Sequence, residues 1–229
     1  MTVIDIGSRG GLKGFKNVKC FSFDYPKILF EDEREVDFYI TKDPQNSSIL
    51  TPNYELLKQF MNTDRFDITD KVRVKTKTLD SYNIKADFIK IDTQGTELSI
   101  LKGAKETLKN VAGIEIEVCF SPLYKGQALF RDIDKFLEDF ELFGLYPYWW
   151  KRNNYGCKGQ IMFADAVYFS KSRKSIPLLL KYKHDDYAFS LGAKINKFYM
   201  PYFKGKGRLA LMFKKLYELF RCSENGVYK

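Results

Sequence analysis

Hydrophobic and polar positions divide the first 170 residues into short apolar segments separated by polar turns. "TVIDIG" (2–7) is a β-rich run ending in glycine, and "VKCFSFD" (18–24) is a second run ending in Asp24. "EVDFYIT" (35–41) alternates like a half-exposed strand and predicts pairing with "KILF" across the turn "EDER". "NYELLKQFMN" (53–62) reads as a helix capped by Asn53, and "KVRVKTKTL" (71–79) alternates again. A strand over 86–91, a helix over 96–109 and the strand "AGIEIEVCF" (112–120) follow. A helix over 129–141 would bury Leu129, Ile133, Phe136, Leu137 and Phe140, and "LYPYWW" and "IMFADAVYFS" close the series as strands.

Strands alternating with helices predict an α/β domain over 1–170, a mostly parallel sheet with helices on both faces. The region of strands one to three is short for that plan. A parallel crossover needs about a dozen residues, but only Tyr25 and Pro26 separate Asp24 from Lys27. The helix expected there is therefore absent, and residues 8–17 leave little room for another.

At 229 residues and 45% hydrophobic, the chain can bury one good-sized core with an appendage. The net charge of +9 is unevenly placed: residues 1–170 carry 24 Lys and Arg against 25 Asp and Glu, and residues 171–229 carry 14 against 4. The positive charge thus belongs to a C-terminal extension, which excludes reading the whole protein as a basic nucleic-acid binder. No apolar run is long enough to span a bilayer, and "MTVIDIGSRG" has no leader-like pattern. Cys20, Cys119, Cys157 and Cys222 are scattered without metal-ligand spacing. A cytoplasmic protein with reduced thiols is the expectation.

Chemistry concentrates at two strand ends. In "DIGSRGG", Gly7, Gly10 and Gly11 surround Ser8 with G-x-x-G-G spacing, not the dinucleotide G-x-G-x-x-G. Asp5, two residues before Gly7, suits a ligand with a cationic amino group and repels a pyrophosphate. Asp24 stands where doubly wound folds hold ribose hydroxyls. Together they favour S-adenosylmethionine over a nicotinamide cofactor; an ordinary tight turn is the alternative. At "DFIKIDTQGTE", Lys90 and Asp92 share one strand face, and Glu115 and Glu117 share one face of the next strand. Asp92 lies at the carboxyl end, where parallel sheets bind ligands. A structural Lys90–glutamate pair, with Glu97 favourably placed in the first turn of its helix, is the competing reading.

The segments "VIDIGSRGG", "DFYITKDPQNSSI", "VKTKTLDSYNI", "DFIKIDTQGTELSILKGAKETL" and "GIEIEVCFSPLYKGQALFRDIDKFL" together resemble the FkbM family of S-adenosylmethionine-dependent methyltransferases, from residue 2 to about 169. The "KIDTQGTE…LKGA" block is the most specific part. The resemblance implies a Rossmann-like methyltransferase fold and O-methylation of a hydroxyl on a sugar, glycan or related natural product. Asp5, Gly7 and Gly10 match its cofactor turn, and Asp24 the acid after strand two. Asp92 matches the position nearest the transferred methyl, and Ser47 and Ser48 a loop bordering the site. The family usually has more chain before strand one and a helix after the ribose-binding acid. A non-catalytic, cofactor-deficient glycan- or partner-binding member is therefore the rival reading.

Methyl transfer to an alcohol requires alignment and a base. His184, the only histidine, lies in the basic extension, so Asp92 is the first candidate base and Glu117 the second, with Lys90 and Glu97 beside them. These carboxylates are compatible with a divalent cation, although no spacing signals one. Tyr124 and Lys125, in "SPLYKG", are candidates for gripping the sugar or glycolipid-type acceptor. No base-gripping motif supports a nucleic-acid acceptor. Over 171–229, Leu209, Met212, Phe213, Leu216 and Phe220 form an apolar stripe beside lysines. That pattern fits either docking on the anionic inner face of a membrane or packing as a helical extension.

Overall fold

The computed structural model describes residues 1–7, 18–153, 159–172, 175–181 and 185–193. Ser8, Gly10, Gly11, Cys157, His184, Cys222 and the apolar stripe over 209–220 lie outside the described residues. The chain divides into two compact units, Met1–Ser175 and Ile176–Lys229. In the second unit the described elements are two six-residue helices, Ile176–Lys181 and Asp185–Ser190. No helix among the described residues is long and apolar enough to cross a membrane.

The first unit is mixed α/β. Its large sheet has six strands in the order β2-β1-β6-β7-β9-β8. These are β1 (Thr2–Ile6), β2 (Lys19–Phe23), β6 (Phe88–Ile91), β7 (Gly113–Cys119), β8 (Phe140–Trp150) and β9 (Gln160–Ser170). β2, β1, β6 and β7 are mutually parallel, whereas β9 and β8 close the sheet antiparallel. A small second sheet joins β3 (Ile28–Leu29), β5 (Ile68–Lys77) and β4 (Glu35–Thr41) in the order β3-β5-β4. This corrects the expected "KILF"/"EVDFYIT" hairpin. The ten residues of β5 offer two edges, and β3 takes one in parallel while β4 takes the other antiparallel.

The helices are shorter than their apolar periodicity predicts. α1 covers only Tyr54–Leu57, and α4 only Phe130–Phe136 because Phe140 already opens β8. The helix expected over 96–109 is broken into α2 (Glu97–Lys102) and α3 (Lys105–Leu108). Gly103 lies at the break, pressed on the Phe30 backbone so closely that a Cβ would sit 2.2 Å from its carbonyl oxygen.

Strand alternation gives the large sheet two unlike faces. Ile4, Ile6, Ile89, Ile91, Ile114 and Ile116 point to one side, where Ile100 and Leu101 of α2 and Ile133 of α4 join them in the main core. Helices on both faces were the expectation; α2 and α4 pack into the main core on this side. The opposite face takes Asp5, Lys90, Glu115, Glu117 and Asp165 by the same alternation. At its upper end Leu57, Phe60, Phe66, Cys119, Leu123 and Tyr124 build a second, smaller core. The first face is apolar throughout, whereas the second carries its charged row between buried Val3, Phe88 and Phe169 at one end and this smaller core at the other.

Candidate functional site

Parallel register sets the charged row. Lys90 stands opposite Asp5 of β1 on one side and Glu115 of β7 on the other. Antiparallel β9 brings Asp165 opposite Glu117. Lys90 Nζ donates to Glu115 Oε1 at 2.7 Å, with both side chains about four-fifths buried. Burial works against the Lys90 ammonium, but the hydrogen bond and charge of Glu115, aided by Asp165 and Asp92, outweigh it and raise its pKa. Lys90 is thus a fixed cation between carboxylates.

Asp92 follows the last residue of β6, and its N–H extends the ladder by donating to Ile6 O at 2.9 Å. Burial pushes the Asp92 carboxyl above the ordinary aspartate value; Gln94 and Lys90 pull it down, and Asp165 and Asp5 add to the rise. Glu117 is held well above the ordinary glutamate value by burial first, then by the charges of Asp92, Glu97 and Asp165. Asp165 is also raised by burial, against the pull of Lys90 and of the Tyr148 hydroxyl that donates to it at 3.1 Å. All three carboxyls are thus held above their ordinary values by burial, the direction in which a general base is tuned.

The loop after Asp92 is held by its own side chains. Gln94 and Gly95 both have positive φ, +61° and +104°. Glu97 is buried, and its Oε1 accepts from the Thr93 and Gly95 amides at 3.0 Å each. Gln94 Nε2 donates to Asp92 Oδ1 at 3.0 Å, while its Oε1 accepts from the Tyr124 hydroxyl at 3.1 Å. That hydroxyl also reaches Asn46 O at 2.8 Å, and Ser48 Oγ donates to Gln94 O at 2.8 Å. Tyr124 and Ser48 therefore act on Asp92 through Gln94, as positioning residues.

Above the charged row opens a cavity of about 610 Å³, within the range of small-molecule sites. Its lining follows the strand order of the sheet. Asp24, Tyr25, Ile28 and Phe38 line the β2 end, then Gly7, then Lys90 and Asp92, then Glu115 and Glu117, and finally Phe163, Tyr148 and Trp150 at the β9/β8 end. At about 4.8 Å per strand, β2 and β8 lie roughly 24 Å apart. The cavity thus has lining residues from one edge of the sheet to the other.

Of the residues read from the sequence, Gly7, Asp24, Ser47, Lys90, Asp92 and Glu117 line this cavity. Asp5 is only 2% exposed and lies below it, beside Lys90. Glu97 shapes the loop, Ser48 and Tyr124 brace it, and exposed Lys125 bonds through its amide to Thr51 O. Asp165, Tyr148, Trp150 and Arg65 were missed. A lone acid in the apolar run "IMFADAVYFS" is the available signal for Asp165; its neighbour Glu117 is fixed by a long-range register. Among the described residues no group of three or more His, Cys, Asp and Glu side chains is arranged to hold a metal ion.

The lining has groups that could hold S-adenosylmethionine. Asp24 could take ribose hydroxyls, Tyr25, Ile28 and Phe38 offer an apolar wall that could take a purine, and the acidic centre favours a cationic ligand.

A family model described as "Methyltransferase FkbM domain" matches residues 27–142, just over half of the chain. Over 88 residues the chain is 36% identical to the 2-O-methyltransferase NoeI of Sinorhizobium fredii, a stretch covering 36% of this chain and 35% of that protein. The match thus spans about a third of the relative's length. No solved structure matches the chain.

Proposed function

The chain belongs to the FkbM methyltransferase family, and we propose that it is an S-adenosylmethionine-dependent O-methyltransferase with a Rossmann-like donor site, acting on a hydroxyl of a sugar or related acceptor. The observation that carries this reading is the order of groups along one cavity: a ribose-type acid at the β2 end, a recessed carboxylate at the centre, and an aromatic wall at the β8 end. The 2-O-methyltransferase name of the partial relative supports transfer to oxygen.

Asp24 and the apolar residues beside it hold the donor's nucleoside, and Gly7 keeps the strand-end turn low. When bound, S-adenosylmethionine supplies a methyl group already activated on a sulfonium. The protein's own task is to align an acceptor oxygen and take its proton. Asp92 is the base: it lines the cavity at the strand end, and Gln94 fixes its orientation. Lys90 offsets the neighbouring acids and keeps the Asp92 carboxylate available despite burial. Tyr148, Trp150 and Phe163 give a sugar ring apolar faces to lie on.

Radiolabelled methyl transfer from S-adenosylmethionine to a panel of methyl glycosides tests this. The wild type should label at least one glycoside, and Asp92→Asn should lower the rate by about 10²–10⁴, the usual contribution of a general base. Labelling at an undiminished rate in Asp92→Asn would remove Asp92 from the chemistry.

A further inference from the structure

Among the described residues, the one buried side-chain nitrogen or oxygen without a hydrogen-bond partner is Nε of Arg65. Arg65 lines the cavity from the turn Asp64–Phe66, and its guanidinium lies 4.8 Å from the centre of the Trp150 ring and 5.3 Å from that of Phe66. We infer that Arg65 and Trp150 form a subsite, at the β9/β8 end of the cavity, for an oxyanion substituent of the acceptor: a carboxylate, sulfate or phosphate carried beside the hydroxyl to be methylated. This inference rests on the methyltransferase reading for the identity of the rest of the ligand.

Stacking on rings fixes a guanidinium without using its donors, which point outward in its own plane. That arrangement is prepared for planar, two-pronged recognition of an oxyanion. A buried N–H left without an acceptor is costly, so its retention needs an explanation. Nearby acids do not supply the partner. Asp64 pairs with Lys42 at 2.5 Å, and Asp43 uses its carboxylate on the Gln45 amide at 3.1 Å. No ion pair of Arg65 occurs among the described residues. Of the other cations on the cavity wall, Lys90 is held by Glu115, and Lys27 lies beside Asp24 at the opposite end. The acids at the cavity centre repel an anion. A negative group is thereby kept at the Arg65 end, which turns the neutral part of the acceptor toward Asp92.

The test uses the full chain with and without saturating S-adenosylhomocysteine. Fluorescence of the two tryptophans, Trp149 and Trp150, is followed during titration with methyl β-glucoside, methyl β-glucuronide, glucose 6-sulfate and glucose 6-phosphate. At least one acidic sugar should bind tenfold or more tightly than the neutral glucoside, and the best of the three identifies the oxyanion. Arg65→Gln should bring that sugar to within about twofold of the glucoside, while Arg65→Lys keeps part of the preference. Bound S-adenosylhomocysteine identifies each variant as folded. Equal affinity for neutral and acidic sugars in the wild type, immeasurably weak binding of all four included, overturns the subsite, as does a preference that survives Arg65→Gln. Failure to bind S-adenosylhomocysteine with the sugar preference intact strikes the donor reading alone.

Discussion

Lys90→Met removes a charge that favours ionised Asp92 and breaks the ion pair with Glu115. The Asp92 pKa then rises further, so the acid limb of the kcat/KM profile moves to higher pH; a stationary limb contradicts the base assignment. Tyr124→Phe acts in the same direction and more weakly, because it loosens Gln94 rather than removing a charge. It should cost about 1 kcal/mol of stability for a lost hydrogen bond. Glu117 makes a separate prediction. Its folded-state pKa lies above its unfolded value of about 4.5, so the folded state holds the proton more tightly. The associated stability is full below that value and is lost as pH rises through the folded pKa. Glu117→Gln cannot ionise, so its melting temperature should fall less than that of the wild type as pH rises from 5 to 8. Parallel melting curves would reject this assignment of the buried acid.

Elements bring these residues together through glycine contacts and strand registers. Gly7 has φ +83°, and a Cβ there would lie 2.0 Å from the Asp92 carbonyl oxygen. Gly7→Ala should therefore displace the Asp92 loop and destabilise the protein by about 2 kcal/mol or more, seen as a lower denaturant midpoint. Glu97→Ala leaves the Thr93 and Gly95 amides without their acceptor and should cost about 3 kcal/mol. A pair between Lys90 and a glutamate of the next strand was legible in the sequence from matching parity, but the choice of Glu115 over Glu117 came only with the register of β6 on β7. Asp165 opposite Glu117 was not, since that pairing depends on how the β8–β9 hairpin returns to the sheet. Nor could apolar periodicity reveal the break between α2 and α3, which falls at Gly103, where the Phe30 backbone from some seventy positions earlier lies close. Arg65 sits in "TDRFDIT" with nothing local to mark it; only the fold brings Trp150 beneath it.

Across the whole first unit, the proposed reading places a donor end at β2 and an acceptor end at β8 along the observed strand order, with proton chemistry between them. The basic extension adds a proposal at this scale. With 14 basic against 4 acidic residues over 171–229, docking on an anionic bilayer predicts co-sedimentation with anionic vesicles at low salt and release at high salt. No sedimentation at low salt rejects it. The central claim is that the β2 end is a working methyl-donor site, and calorimetric titration with S-adenosylmethionine and S-adenosylhomocysteine tests it most directly. Micromolar binding of both, weakened at least tenfold by Asp24→Ala, is the predicted result. Absence of binding by the wild-type chain would contradict it and leave a non-catalytic, binding-only member of the family.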